Sequence, residues 1–112
     1  MRAGRLRQRV EIQQRIETRD EMGGVSEAWE TVAMRWASIE PLQGRELMEA
    51  QQIASRVTMQ VRMRYYEGLS PKHRLIWRAG DGGVRKTLGI EAVISRDERD
   101  RDHELLCTRT DD

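Results

Sequence analysis

The stretch RVTMQVRMRY, Arg56 to Tyr65, decides the fold class. Val57, Met59, Val61, Met63 and Tyr65 fall at every second position, and Arg56, Thr58, Gln60, Arg62 and Arg64 fill the positions between. Successive side chains of an extended chain leave opposite faces, so this is a strand with one apolar and one polar face.

Working outward, the same period recurs upstream. Leu6, Val10, Ile12 and Ile16 share one face and Arg5, Arg7, Arg9, Glu11, Gln13 and Arg15 the other, which predicts a strand over Leu6–Ile16. Thr18–Ser26, with Gly23-Gly24, reads as a polar loop. A second strand region covers Trp29–Ile39. There Val32, Met34 and Trp36 oppose Ala33, Ala37 and Ile39 in parity, so either both faces are covered or a bulge switches face near Ala37. Trp29, Trp36 and Trp77 fall where core residues are expected.

Pro41 ends that strand because proline has no N–H for the ladder. GRELMEAQQIAS follows, rich in helix formers, with Leu47, Ala50 and Ala54 as a thin apolar stripe. A helix of about three turns is marginal alone and needs packing or a partner. Downstream, Tyr66–His73 is a loop, Leu75–Trp77 a short strand and Gly80–Gly83 a turn. Val84, Leu88, Ile90, Ala92 and Ile94 resume alternation, with Gly89 as a weak point or bulge. SRDERDRD, Ser95–Asp102, is a charged connection, and the last strand is about His103–Thr110. The expectation is one domain over residues 1–112. It is mainly β: a small antiparallel barrel or sandwich of about six strands, with one short helix after the second strand region.

Charged residues make up 35% of the chain, yet the formal net charge is only +1, so composition gives no bias toward nucleic acid or acidic ligands. Lys72 and Lys86 are the only lysines, and arginine's planar fork suits charge-paired protein contacts. The rows on the strand faces, Arg5, Arg7, Arg9 and Arg15 and then Arg56, Arg62 and Arg64, are solvated or meet acidic segments of a neighbouring subunit, such as Glu46/Glu49 or Asp97/Glu98. With one cysteine, Cys107, no internal disulfide forms, which fits a reducing compartment. No apolar run approaches the roughly 20 residues that span a bilayer, and MRAGRLRQR leads into no apolar signal core. The reading is an intracellular, non-membrane protein.

No catalytic, metal or cofactor site is expected. His73 and His103 lie in no metal-ligand spacing. Cys107 sits among leucines and reads as a small buried hydrophobe. GDGGVRK lacks the ending of a phosphate-binding loop and reads as a hairpin turn. Nothing assembles nucleophile, base and orienting group. A small-barrel module binding single-stranded nucleic acid through Arg56, Arg62, Arg64, Tyr65 and Tyr66 is the alternative, but aromatics are only 4% and acids nearly match bases.

Nearly end to end, the chain resembles bacteriophage head–tail joining proteins, also called head–tail adaptor or head-closure proteins. The resemblance is carried by GRLRQRVEIQQ (4–14), GGVSEAWETVAMRWASIEPLQGRELMEAQQ (23–52), VTMQVRMRYYEGLSP (57–71) and LGIEAVISRDERDRDHELLC (88–107). Its most specific piece is WASIEPLQGRELMEAQQ, which matches a WA-x-[VI]-x-P-x-x-G-[RK]-E signature. WRAGDGGVRKT (77–87) is longer and more charged than the family's turn.

The resemblance implies a structural protein, not an enzyme, made in the bacterial host cytoplasm and located in the virion of a tailed phage or prophage. It implies a homo-oligomeric ring at the portal vertex that closes the packaged head. Its partners would be a portal-side or head-completion adaptor on one side and a tail terminator or tail protein on the other. A place on the tail side of the neck is the variant reading. DNA contact would be weak and non-specific, given one net positive charge per subunit. On this reading Pro41–Ser55 is an excursion from a rigid body, and Arg45, Glu46, Glu49, Gln51 and Gln52 are its interface or channel contacts. The bland account is that Leu47, Ala50 and Ala54 cap one end of the barrel. Tyr66, Glu67 and Lys72, and Arg19, Asp20 and Glu21, mark second-rank partner loops.

Overall fold

A computed structural model describes residues 8–78, 85–94 and 102–110. The strands are β1 (Gln8–Arg19), β2 (Val25–Pro41), β3 (Met59–Arg64), β4 (His73–Arg78), β5 (Arg85–Val93) and β6 (Asp102–Arg109), and α1 (Gly44–Ile53) lies between β2 and β3. All pairings are antiparallel, and the order β1-β2-β3-β6-β5-β4 closes into a barrel. Closure removes exposed sheet edges and gives a filled interior at this strand number. The fold class read from the alternation is the one observed.

The interior follows the period-two pattern. Val10, Ile12, Val61, Met63, Leu75 and Leu105 are buried and pack together. Ile12 pairs with Leu75 on adjacent β1 and β4, and Val61 with Leu105 on adjacent β3 and β6, so each pair points into the interior together. The loop after β3 contributes Leu69 to the same core. Gly68 turns it there with φ 86°, a left-handed conformation glycine adopts without steric cost.

A second, smaller core lies outside the barrel. Ala50 of α1, Val57 and Leu106 form it, with Leu42, Ala54, Ala92 and Ile94 against them. Val57 therefore leaves the alternation of the opening stretch: it serves the helix, while Met59, Val61 and Met63 serve the barrel. Of the apolar stripe, Ala50 and Ala54 join this second core, and only Ala50, 6% exposed, is fully buried.

Several local expectations need correction. Leu6 lies outside the described residues, and β1 runs on to Arg19. Thr18–Ser26 is not a loop: Thr18 pairs with Ser26 and Arg19 with Val25, and the two hydroxyls meet at 2.7 Å. The turn shrinks to Asp20–Gly24 because Asp20 Oδ1 accepts from the Met22 and Gly24 amides at 3.0 and 2.7 Å, an Asx turn that the polar composition concealed. The bulge in β2 falls at Thr31–Ala33, opposite Ile12/Gln13, and not near Ala37. In β5 the irregularity lies at Glu91, between Ile90 and Ala92, and not at Gly89. That shift turns Ala92 and Ile94 from the barrel toward the helix. The turn Gly80–Gly83, and Ser95–Arg101 of the charged connection, lie outside the described residues.

The tryptophan expectation is overturned. Trp29 is 37% and Trp36 47% exposed, and only Trp77 packs against the barrel core. The register places Trp36 opposite Arg9 on the outer face, while Ala37 pairs inward with Met63. Trp29 stands on the part of the hairpin that extends past the core.

Candidate functional site

Three elements extend beyond the barrel: the long β1–β2 hairpin, α1, and the loop between β3 and β4, whose Leu69 reaches back into the core. The hairpin is an arm. From Glu17 to Thr31 every residue is exposed, although the strands stay paired to Arg19 and Val25. Met22, Val25 and Trp29 are exposed apolar residues on it. Its root is braced to the barrel wall. Arg74 lies over Trp29 at 4.2 Å and donates to Gln13 Oε1 at 2.8 Å, and Gln13 donates to Thr31 at 3.1 Å. Thr31 in turn donates to Glu11 at 2.9 Å. Arg19, Asp20 and Glu21 lie at the arm's tip, with Asp20 engaged in shaping the turn.

α1 starts at Gly44 without a side-chain cap from Gln43. Glu46 in its first turn complements the positive end of the helix dipole. Arg45, Glu46, Glu49, Gln51 and Gln52 are all exposed on the helix, so the structure brings these five expected contacts together. Gln51 is partly committed within the chain, since its Nε2 donates to the Val57 carbonyl at 3.1 Å. Glu46 and Glu49 rim a cleft of about 200 Å³ between helix and barrel, floored by Leu42, Ala50, Ile94 and Leu106. Sequence reading missed Met48 and Ile53, which are 68% and 62% exposed on the same helix. Their signal was apolar residues lying off the Leu47–Ala50–Ala54 stripe.

In the third element Glu67 and Lys72 are exposed, but Tyr66 is half-buried against the main core. Its carbonyl meets His103 Nε2 at 2.9 Å, and Arg35 lies 5.4 Å over its ring. Arg35 also donates to the Tyr65 carbonyl at 3.0 Å. Tyr66 thus anchors the loop from within, and the two charged residues form its outer surface.

The arginine rows are largely used inside the chain. Arg62 pairs with Glu104 at 3.5 Å and Arg64 with Asp102 at 3.3 Å, both across the β3–β6 ladder. Arg15 pairs with Glu27 at 3.7 Å, and Arg9 lies 4.9 Å over Trp36. Of these rows, Arg15, Arg62 and Arg64 thus have acidic partners within the chain. Arg5 and Arg7, and Asp97 and Glu98, lie outside the described residues. Cys107 faces the core, and burial, with a smaller push from Glu91, raises its thiol to about 12. A thiol that stays protonated at neutral pH is a packing group, not a nucleophile. No cluster of three or more His, Cys, Asp or Glu side chains able to hold a metal occurs among the described residues.

Comparisons with known proteins bear on what those surfaces serve. No curated protein matches the chain. Protein SF1141 from Shigella flexneri 2a, solved in solution, shares 29% identity and superposes with a TM-score of 0.76, covering 97% of this chain and 96% of that one. A chain of the virion of a native gene transfer agent particle superposes with a TM-score of 0.56 at 17% identity, over 95% and 96% of the two chains, a likeness of fold. The model of the phage head completion protein family matches residues 1–110, and the chain belongs to that family.

Proposed function

We propose that this chain is a structural virion protein that forms a ring at the portal vertex of a tailed phage or prophage. The ring closes the packaged head and offers a docking surface to the tail. The family match over residues 1–110 carries this reading, and the fold shared with a virion chain supports it. The barrel supplies a rigid body whose core is complete without the arm or the outer face of α1, so both are free to make contacts. The partners are a portal-side adaptor on one side and a tail terminator or tail protein on the other. DNA in the channel is touched without being read, and that contact is salt-sensitive.

The test is co-assembly. DNA-filled heads lacking this protein are mixed with it, repurified, and assayed for bound protein and retained DNA. Binding with retention is the expected result. Absence from heads with presence on free tails would move the protein to the tail side of the joint, and tight binding to free single-stranded oligonucleotides at physiological salt would favour a nucleic-acid module.

A further inference from the structure

Two walls of the barrel are complementary in charge and lie on opposite sides. In the closed order β1-β2-β3-β6-β5-β4, β1 is three strands from β6, and β4 is three strands from β3. α1 covers the wall that includes Gln60 of β3 and Leu106 of β6. The opposite wall is centred on β1 and β4, and its outward row runs Trp36, Arg9, Arg78, Arg85. Trp36 pairs with Arg9 and Arg78 with Arg85, while the Val10–Trp77 pair puts Arg9 beside Arg78.

This wall has an excess of cations. Arg9, Arg74, Arg78 and Arg85 share it with one carboxylate among the described residues, Glu11, which already accepts from Thr31. Arg74 is committed to Gln13 and Trp29, and Arg9 to Trp36. Arg78 and Arg85 are exposed, directly opposed, and have no acidic partner among the described residues. Like charges directly across a ladder repel, and a carboxylate placed between them relieves that repulsion. Met34 and Trp36 add exposed apolar surface beside the arginines. The helix wall offers the counterpart: Glu46 and Glu49 line an apolar cleft together with exposed Ile53, and with Arg45 they leave α1 a net charge of −1.

We propose that the β1–β4 wall of one copy docks on the α1 wall of the next, with Arg78 and Arg85 meeting Glu46 and Glu49. The occupant of each wall is a second copy of this chain. Different patches on opposite sides make a heterologous contact, which propagates head to tail and closes into a ring when the rotation per subunit divides the circle. The inference rests on the ring reading above and identifies the surfaces that would build the ring. It also transfers the expected intersubunit arginine role from Arg62 and Arg64, which are paired within the chain, to Arg78 and Arg85.

The experiment uses whole protein and DNA-filled heads that lack it. Variants are Arg78→Glu/Arg85→Glu, Glu46→Lys/Glu49→Lys, and the combination of all four. These positions are exposed, so the arginine variant is expected to melt like the wild type, and the glutamate variant, which puts a cation at the positive end of the helix dipole, to melt only slightly lower. Each double variant should lower head-bound protein and retained DNA at least tenfold, and the quadruple variant should restore both. An Arg78→Cys/Glu49→Cys protein on heads should give a ladder of disulfide-linked copies, since Cys107 is buried and silent. Wild-type loading with neither charge sensitivity nor a ladder overturns the interface and leaves head closure standing. Loss of DNA retention in the arginine variant alone, with a normal helix variant, would assign the basic wall to DNA and overturn the proposal. Failure of the wild type to load overturns head closure itself, and the interface falls with it.

Discussion

The guanidinium of Arg74 lies 4.2 Å from the ring centre of Trp29, so a side chain of β4 holds the root of the arm formed by β1 and β2. The contact joins residues 45 positions apart in sequence, Arg74 less Trp29. Burial, and then the nearby Arg85, hold the Arg74 pKa below its ordinary value. An arginine nonetheless stays charged throughout the working pH range. The stack lies next to the bulge at Thr31–Ala33, where the β1–β2 ladder is irregular.

Replacing Arg74 by alanine should therefore destabilise the fold by about 1–2 kcal/mol, the sum of a cation–π contact and one hydrogen bond. Urea unfolding measures this. Arg74→Lys should recover only part, because a lysine keeps the cation over the indole but loses the Nε bond to Gln13. An unchanged midpoint for Arg74→Ala would show that the arm needs no brace.

Ion pairs of similar length should differ in weight. Glu104 accepts from Gln60 at 2.7 Å and pairs with Arg62 at 3.5 Å, with both charged side chains largely covered. Arg62 Nε is already buried without a hydrogen-bond partner among the described residues. Glu104→Ala should then cost about 1–3 kcal/mol, since it leaves two donors without their acceptor. Glu27→Ala removes a half-exposed pair with Arg15 and should cost under about 0.5 kcal/mol. Equal costs in parallel denaturation curves would contradict this ranking.

The helix depends on its small core. Leu106→Ala should cost about 2–4 kcal/mol, and hydrogen exchange should rise more at α1 amides than at the centre of β1 or β4. Ten residues of helix have little stability without packing. Met48→Ala on the exposed side should shift stability by no more than about 0.5 kcal/mol. Uniform exchange changes in Leu106→Ala would mean that helix and barrel open together.

Cys107 predicts a loss of stability in alkali. Its folded pKa is raised to about 12 from an ordinary 9.0. Below pH 9 both states hold the proton, so the thiol adds no pH dependence. Between 9 and 12 the unfolded chain loses the proton while the folded chain keeps it, so stability falls as pH rises. The full loss approaches about 4 kcal/mol by linkage over three pKa units. Comparing urea midpoints of the wild type and Cys107→Ala from pH 7 to 11 isolates this slope from tyrosine and lysine titration. Parallel curves would refute it, as would rapid thiol labelling of native protein at pH 8.

What the sequence determined by itself was everything that depends on neighbours along the chain. Alternation at Val10/Ile12 and at Met59/Val61/Met63 dictated strands and named residues of the barrel core, because side-chain direction in a strand is a local property. Pro41 and the helix formers after it placed α1, and the excursion they mark holds all five expected contacts on one exposed element. The tertiary structure alone decided what depends on register. A single bulge residue, invisible in composition, sets which of Val32, Ala33 and Met34 face inward, and register put Trp36 outside beside Arg9. Strand order decided which arginines meet acids at home, Arg62 and Arg64, and which face outward opposite the helix, Arg78 and Arg85. Charge pairing between distant strands is a relation in space, and no local pattern encodes it.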